Sequence, residues 1–183
     1  VRHGALSDMT DDSLEEFDAI WADPARRNAS GERLYDPEEY SPPLSSVTGL
    51  NFTGLVGIKI SPALNVALPE NNWKREFIGW EWTCPEQILW KAGSLPGAQA
   101  TLADRKVAWS RSDSGQPCRA RPDLLIEGNI LVEPHPALVR TGDLELFYAE
   151  HGLFQIDSQM ALGISAVASA PSAWYREFRI IEK

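Results

Sequence analysis

Basic residues, histidine and cysteine are all scarce in this sequence, and each shortage excludes a class of function. Seventeen Lys and Arg against 26 Asp and Glu give a formal net charge of −9. This charge argues against a surface that neutralises nucleic-acid phosphates or anionic lipids. Three scattered histidines and two cysteines do not form the spacing of a zinc site. We therefore expect no nucleic-acid partner, no membrane partner and no resident cofactor.

Long apolar runs and phosphate-binding glycine loops are also missing. No apolar run approaches the roughly 20 residues that span a bilayer, and neither GxGxxG nor GxxxxGK[ST] occurs. No signal peptide is visible at Val1. Sequons at Asn28 and Asn51, and a disulfide or free thiols at Cys84 and Cys118, leave the compartment open. The expectation is a soluble protein of unknown location, for which secretion or a particle surface is one interpretation.

The strongest β pattern lies between residues 122 and 157 and predicts two consecutive hairpins. The first hairpin turns at Gly128-Asn129, with a positive φ at the glycine. The second turns near His151. The four predicted strands are Leu124–Ile126, Ile130–Val132, Leu144–Tyr148 and Leu153–Ile156. The residues predicted as core are Leu124, Ile126, Leu131 and Leu144.

Further short strands are predicted elsewhere, with turn signals roughly every ten residues and no alternation of helices with strands. The predicted strands are 56–60, 64–68, 77–82, 107–109, 160–164 and 174–181. Two short helices are predicted from capping-box spacings, one from Ser13 to Trp21 and one near residues 84–92. A strand at Ile88–Lys91 competes with the second helix.

These features predict an all-β protein, an antiparallel β-sandwich of jelly-roll type with two short helices. The 183 residues favour a single domain. In this interpretation residues 1–50 form an N-terminal arm, a short helix and a wrapping loop, because proline interrupts this stretch repeatedly. Residues 51–183 form the sandwich.

One segment carries a motif with catalytic meaning. Pro122-Asp123 is followed ten residues later by Glu133-Pro134-His135. This resembles the PD-(D/E)xK core of metal-dependent nucleases, and the resemblance implies Mg²⁺ held by Asp123 and Glu133. His135 departs from the pattern by standing in the place of the Lys. The predicted hairpin register also puts the two carboxylates on opposite faces of the sheet, unless a bulge shifts it.

A hydrolytic site built on histidine is the second catalytic hypothesis. His135 and His151 could each serve as a general base with a nearby acid. The candidate acids are Asp143, Glu145, Glu150 and Asp157. No nucleophile elbow accompanies them. If the chain is an enzyme, a hydrolase is the expectation, but a non-enzymatic protein is favoured.

Tryptophan is the one residue type in excess, with seven copies. Trp80 and Trp82 are two residues apart in a predicted strand and would therefore share a face, which suits stacking against sugar rings. The competing interpretation is that both fill the core. A carbohydrate-binding sandwich is thus one alternative to the nuclease.

A structural or assembly protein is the favoured function. The predicted sandwich, the long N-terminal loop and the segment Thr141–Tyr148 resemble, in organisation, the jelly-roll subunits of icosahedral virus coats. This resemblance implies a coat-like subunit that self-associates or binds other proteins. No metal is expected in it, and Mg²⁺ belongs to the nuclease alternative alone.

Overall fold

A computed structural model describes residues 14, 16–68, 72–91, 97–112, 115–168 and 171–181. The chain divides into two compact units. Unit 1 comprises residues Val1–Arg75 and Gln87–Gly97, and unit 2 comprises Glu76–Glu86 and Ala98–Lys183. The single-domain assignment made from the sequence stays a prediction.

Ten strands and three α-helices make up the described residues. The strands are β1 Ala19–Ala22, β2 Leu55–Ile60, β3 Trp73–Trp80, β4 Thr83–Lys91, β5 Gly97–Leu102, β6 Val107–Ser110, β7 Ile130–Pro134, β8 Phe154–Gln155, β9 Gly163–Ser165 and β10 Tyr175–Arg179. The helices are α1 Leu44–Thr48, α2 Pro136–Thr141 and α3 Leu144–Glu150, with short 3-10 helices at Pro37–Glu39 and Pro122–Leu124. None of the described helices is long and apolar enough to cross a membrane.

The strand order contradicts the predicted jelly-roll sandwich. Six strands form one sheet in the order β1-β2-β4-β3-β5-β6, and four form another in the order β10-β7-β9-β8. β1 pairs with β2 in parallel, whereas β2 with β4 and β5 with β6 are antiparallel. The larger sheet is therefore mixed, and only the smaller one is antiparallel throughout.

The core of unit 1 lies on one face of the parallel pair. Val56, Ile58 and Ile60 alternate along β2 and are almost fully buried, as the period of two in the sequence predicted. Leu44 and Val47 of α1 are buried in the same apolar cluster. The other face of β2 carries Leu55, Gly57 and Lys59.

The predicted strand at 144–148 is wrong, because these residues form helix α3. The segment alternates apolar residues with polar ones, but Leu144, Phe147 and Tyr148 also recur at helical spacing. All three are buried in the core of unit 2. The helical register buries two adjacent aromatic rings, whereas a strand would have pointed one of them to the opposite face.

The first predicted hairpin is also wrong. Gly128 has the expected positive φ of +90°, but the segment before it is a 3-10 helix, and Ile126 is 52% exposed. β7 pairs with β10 and β9 instead. Its buried face carries Ile130 and Val132, so Leu131 lies on the opposite face to the one predicted.

The helix predicted near residues 84–92 is wrong, and the one predicted from Ser13 is helical at Leu14 but does not extend to Trp21. Residues 83–91 form β4, so the competing strand interpretation was right there. Ala19–Ala22 forms β1 rather than the end of a helix. The proposed helix start at Ser13 lies outside the described residues. The apolar run at 64–68 is not a strand.

Both cysteines are free thiols, which excludes the disulfide in this structure. Burial is the main cause that raises the pKa of Cys84 to about 11. The thiolate is the reactive form, so a raised pKa lowers reactivity at neutral pH. We expect the Cys84 thiol to react with Ellman's reagent at pH 7 at least about tenfold more slowly in the folded protein than in denaturant. A Cys118→Ser variant isolates the Cys84 rate, and equal rates in both conditions would contradict the expectation.

Candidate functional site

The two acidic residues of the nuclease-like motif do not form a metal site in this structure. Asp123 lies exposed in a 3-10 helix, where both of its oxygens accept hydrogen bonds from Arg121, with Nη2 2.7 Å from Oδ2. This guanidinium lowers the pKa of the Asp123 carboxyl. Glu133 is on β7, with an oxygen 4.0 Å from Nη1 of Arg176. Among the described residues no cluster of three or more His, Cys, Asp or Glu could hold a metal ion.

His135 is fully buried and joins two segments of unit 2. Its Nδ1 accepts from the backbone N–H of Ala137 at 3.1 Å, which caps helix α2. Nδ1 is therefore unprotonated, and Nε2–H donates to the carbonyl oxygen of Glu81 at 2.8 Å. Burial lowers the pKa of His135, so the ring is neutral near pH 7.

His151 ends helix α3 and contacts its own helix. Nδ1 lies 2.8 Å from the carbonyl oxygen of Phe147, and the two rings stack with centroids 4.0 Å apart. The two histidines thus serve different local structures. Two of the acids proposed as their partners make other contacts: Glu150 accepts from Nε1–H of Trp109 at 2.8 Å, and Asp143 lies 3.8 Å from Arg111.

The two tryptophans proposed for sugar binding have different surroundings. Trp80 ends β3 with 54% of its surface exposed. Trp82 lies in the turn after it, with the guanidinium of Arg176 stacked 3.9 Å from its ring centroid. Trp82 also borders a cleft of about 420 Å³ in unit 2. The cleft is lined by Glu81, Trp82, Thr83, Asp104, Arg105, Ser172, Ala173, Tyr175 and Arg176.

A site that the sequence interpretation missed lies at the carboxyl ends of β1 and β2. In sheets of parallel strands, ligands bind outside these ends. Asp23 directly follows β1, and one of its oxygens lies 2.6 Å from Nζ of Lys59 on β2. Ser61 directly follows β2 and accepts a hydrogen bond from Arg33 at 3.2 Å. The ends of both strands therefore present charged and polar groups.

The connection after β1 is ordered by its own hydrogen bonds. Ala25 and Ser41 form an isolated bridge, and Arg27 pairs with Arg33 in an antiparallel bridge further out. At the tip, Oδ1 of Asn28 accepts from the backbone N–H groups of Ser30 and Glu32. This closes a turn of the kind that Asn favours. The loop holds three arginines, at positions 26, 27 and 33, close in sequence to the strand end.

An apolar groove of about 410 Å³ runs beside β1. It is lined by Leu14, Phe17, Ala19, Ile20, Trp21, Ala22, Asp23, Pro42 and Val47. Asp23 is the one charged residue of this lining. The sequence signal was ambiguous here, because the spacing of Phe17, Ile20 and Trp21 fits a helical face as well as a strand with exposed aromatics.

Comparisons with known proteins point to a class that the sequence interpretation did not consider. The chain is 30% identical over 146 residues to an uncharacterized S-adenosylmethionine-dependent methyltransferase of Mycobacterium tuberculosis, matched in two strains. The match covers 76% of this chain and 39% of the relative. The crystal structure of a putative methyltransferase from Porphyromonas gingivalis W83 superposes with a TM-score of 0.51 and 17% identity. That match covers 84% of this chain and 41% of that one. No protein-family model matches the chain.

These relatives contradict the favoured prediction of a non-enzymatic coat-like subunit, because proteins of an enzyme class match most of the chain. The nuclease and sugar-binding alternatives find no support among them. The hydrolase expectation is corrected too, since the relatives are named as transferases. The prediction of no cofactor is wrong for this class, because the names of the curated relatives specify S-adenosylmethionine.

The groove beside β1 does not fit a complete S-adenosylmethionine site. The cofactor carries an adenine ring, a ribose diol, a sulfonium cation and an amino-acid end, so its site needs several polar groups around an apolar wall. The groove beside β1 offers one carboxylate, Asp23, which already contacts Lys59. The sequence also contains no GxGxxG motif. It spans about two fifths of the relatives it matches.

Proposed function

We propose that this chain is one portion of an S-adenosylmethionine-dependent methyltransferase, and that the cofactor is held mainly by a portion outside it. The observation that carries the proposal is the 30% identity over 146 residues to a protein of that name. The likeness of fold to a structure described as a putative methyltransferase supports it. A cofactor site that lies mainly outside this chain accounts for the absence of a nucleotide-binding motif from its sequence.

The parallel strand pair indicates which part of this chain faces the chemistry. β1 ends at Ala22 opposite Ile58 of β2, and the groups near this end are Asp23 after β1, Lys59 on β2 and Ser61 after β2. Ligands of sheets with parallel strands bind outside such ends. We therefore assign Asp23 and the arginine-bearing loop at 24–41 to the side of the sheet where cofactor and substrate meet. Asp23 supplies a carboxylate there, and the loop supplies cations.

A chimera tests the proposal. The matched segment of the Mycobacterium tuberculosis relative is replaced by the aligned residues of this chain, and binding of S-adenosylmethionine is measured by isothermal titration calorimetry. We expect the chimera to bind within about tenfold of the parent, a difference of about 1.4 kcal/mol. This chain alone is expected not to bind.

Two results would overturn the proposal. One is a chimera that folds by circular dichroism but does not bind the cofactor. The other is tight binding of S-adenosylmethionine by this chain alone, which would place the whole site within it.

An Asp23→Asn chimera serves as a further variant, since loss of the carboxylate is expected to weaken binding while leaving the fold intact. A Glu177→Gln chimera, changed on β10 of unit 2, is its matched control.

A further inference from the structure

The outer edge of β1 has the features of an interior strand rather than of a sheet edge. β1 pairs with β2 on one side, and within the described residues no strand pairs with its other side. Natural sheet edges are usually protected by charge, by proline or by a covering segment. β1 has the sequence Ala-Ile-Trp-Ala, which contains neither a charged residue nor a proline.

The backbone of β1 presents hydrogen-bonding groups to the open side. The N–H of Leu55 donates to the carbonyl of Asp18, and Ala19 is the register partner of Leu55. Because backbone groups alternate along a strand, the N–H groups of Ile20 and Ala22 point toward β2. The N–H groups of Ala19 and Trp21 therefore point to the open edge, and both residues also line the apolar groove.

Three large apolar side chains on or near β1 are exposed. Phe17, Trp21 and Leu55 are 48%, 55% and 42% exposed. The Trp21 ring packs against Trp90 across Gly57, with ring centroids 5.8 Å apart. A Cβ at Gly57 would lie 2.7 Å from atoms of both rings, so the absence of a side chain there lets the Trp21 ring lie over β2. This packing fixes the position of the exposed Trp21 indole in the isolated chain.

We propose that a strand from the remainder of the methyltransferase polypeptide pairs with the open edge of β1 and covers Trp21, so that β1 becomes an interior strand. This rests on the proposed function. About three fifths of the length of each relative lies outside the match, which leaves ample polypeptide to supply such a strand. The groove of about 410 Å³ is lined by all four residues of β1 and by Val47 of α1.

Proline substitution distinguishes the two edges of β1. Ala19→Pro removes an N–H that faces the open edge, and proline is tolerated where the missing N–H faces solvent. We expect this variant to leave the thermal midpoint of the isolated chain within about 2 °C of wild type. In the chimera the same change is expected to lower the midpoint by at least about 6 °C, because there the N–H pairs with the added strand. Ile20→Pro is the matched control and is expected to destabilise both proteins, since its N–H bonds to β2.

Hydrogen exchange provides a second measurement that does not depend on a substitution. The Trp21 amide is expected to exchange on the order of 100-fold more slowly in the chimera than in the isolated chain. If the chimera does not fold, the same amide is followed while the separate remainder of the relative is added to this chain. Protection that develops on addition supports the proposal, and unchanged exchange overturns it.

Other occupants give different results, each of which overturns the proposal. A second copy of this chain would protect the Trp21 amide in the isolated chain in a concentration-dependent way. The first thirteen residues of this chain would protect it at any concentration, and their deletion would remove the protection. A chimera that binds S-adenosylmethionine with an unprotected Trp21 amide would overturn the strand pairing alone. A chimera with a protected amide and no cofactor binding would overturn the proposed function alone.

Discussion

Replacing His135 by Ala is expected to lower the free energy of unfolding by about 3 kcal/mol. The ring is fully buried and packs edge-on against Trp82 with centroids 5.0 Å apart. Its removal leaves a cavity, takes the cap from helix α2 and leaves the carbonyl of Glu81 without its donor. That carbonyl belongs to a residue with a φ of +52°, a conformation that a residue other than glycine rarely adopts. Urea denaturation at pH 7.5 measures the loss.

The same histidine is expected to make stability depend on pH. Burial lowers the pKa of His135 in the folded protein, so as the pH falls below about 6.5 the unfolded chain binds a proton at this position more readily than the folded chain does. The contribution of His135 to stability is therefore complete above the ordinary histidine pKa of about 6.5 and is lost as the pH falls from there to the lowered pKa of the folded protein.

Urea denaturation of wild type and His135→Ala across this range checks the sign. The wild type is expected to lose more stability than the variant between pH 7.5 and pH 5. The variant retains every other titrating group, so it serves as the baseline. Parallel curves for the two proteins would show that His135 does not contribute to the pH dependence.

The sequence predicted an element correctly where the spacing of its apolar residues fitted either a strand or a helix, but not both. Val56, Ile58 and Ile60 fit only a strand, and the structure confirms it. Leu144, Leu146 and Tyr148 fit a strand, while Leu144, Phe147 and Tyr148 fit a helix, and packing around Phe147 decides for the helix. The local sequence pattern cannot distinguish the two, because the packing around Phe147 depends on residues far away in the sequence.

The parallel pairing of β1 with β2 was beyond a pattern-based interpretation. The 32 residues between the two strands contain only a five-residue α-helix and a 3-10 turn, so the alternation of strands and long helices that marks parallel sheets is absent. The site at Asp23 could not be found for the same reason. It depends on the parallel pairing that brings Asp23, directly after β1, to Lys59 of β2. Sequence did identify His135 as unusual, but for a catalytic motif rather than for the contacts it makes.

Replacing Gly79 by Ala is expected to lower the free energy of unfolding by about 3 kcal/mol. Gly79 is buried in β3, and an added Cβ would lie 2.5 Å from Cδ2 of Leu102 and 2.6 Å from Cε1 of His135. Neither neighbour has room to move, because both are almost completely buried and His135 is fixed by hydrogen bonds at both ring nitrogens. The destabilisation therefore arises from steric conflict between the added methyl group and these two side chains.

Gly115→Ala is the matched control in the same unit, because its added Cβ would lie no closer than 3.4 Å to any neighbour. We expect it to change the free energy of unfolding by less than about 0.5 kcal/mol. A double variant separates steric conflict from a backbone effect. If the His135 ring causes the cost, Gly79→Ala is expected to cost at least about 1 kcal/mol less when it is made in His135→Ala than in the wild type. An equal cost in both backgrounds would show that Leu102 or the β3 backbone limits the space at this glycine.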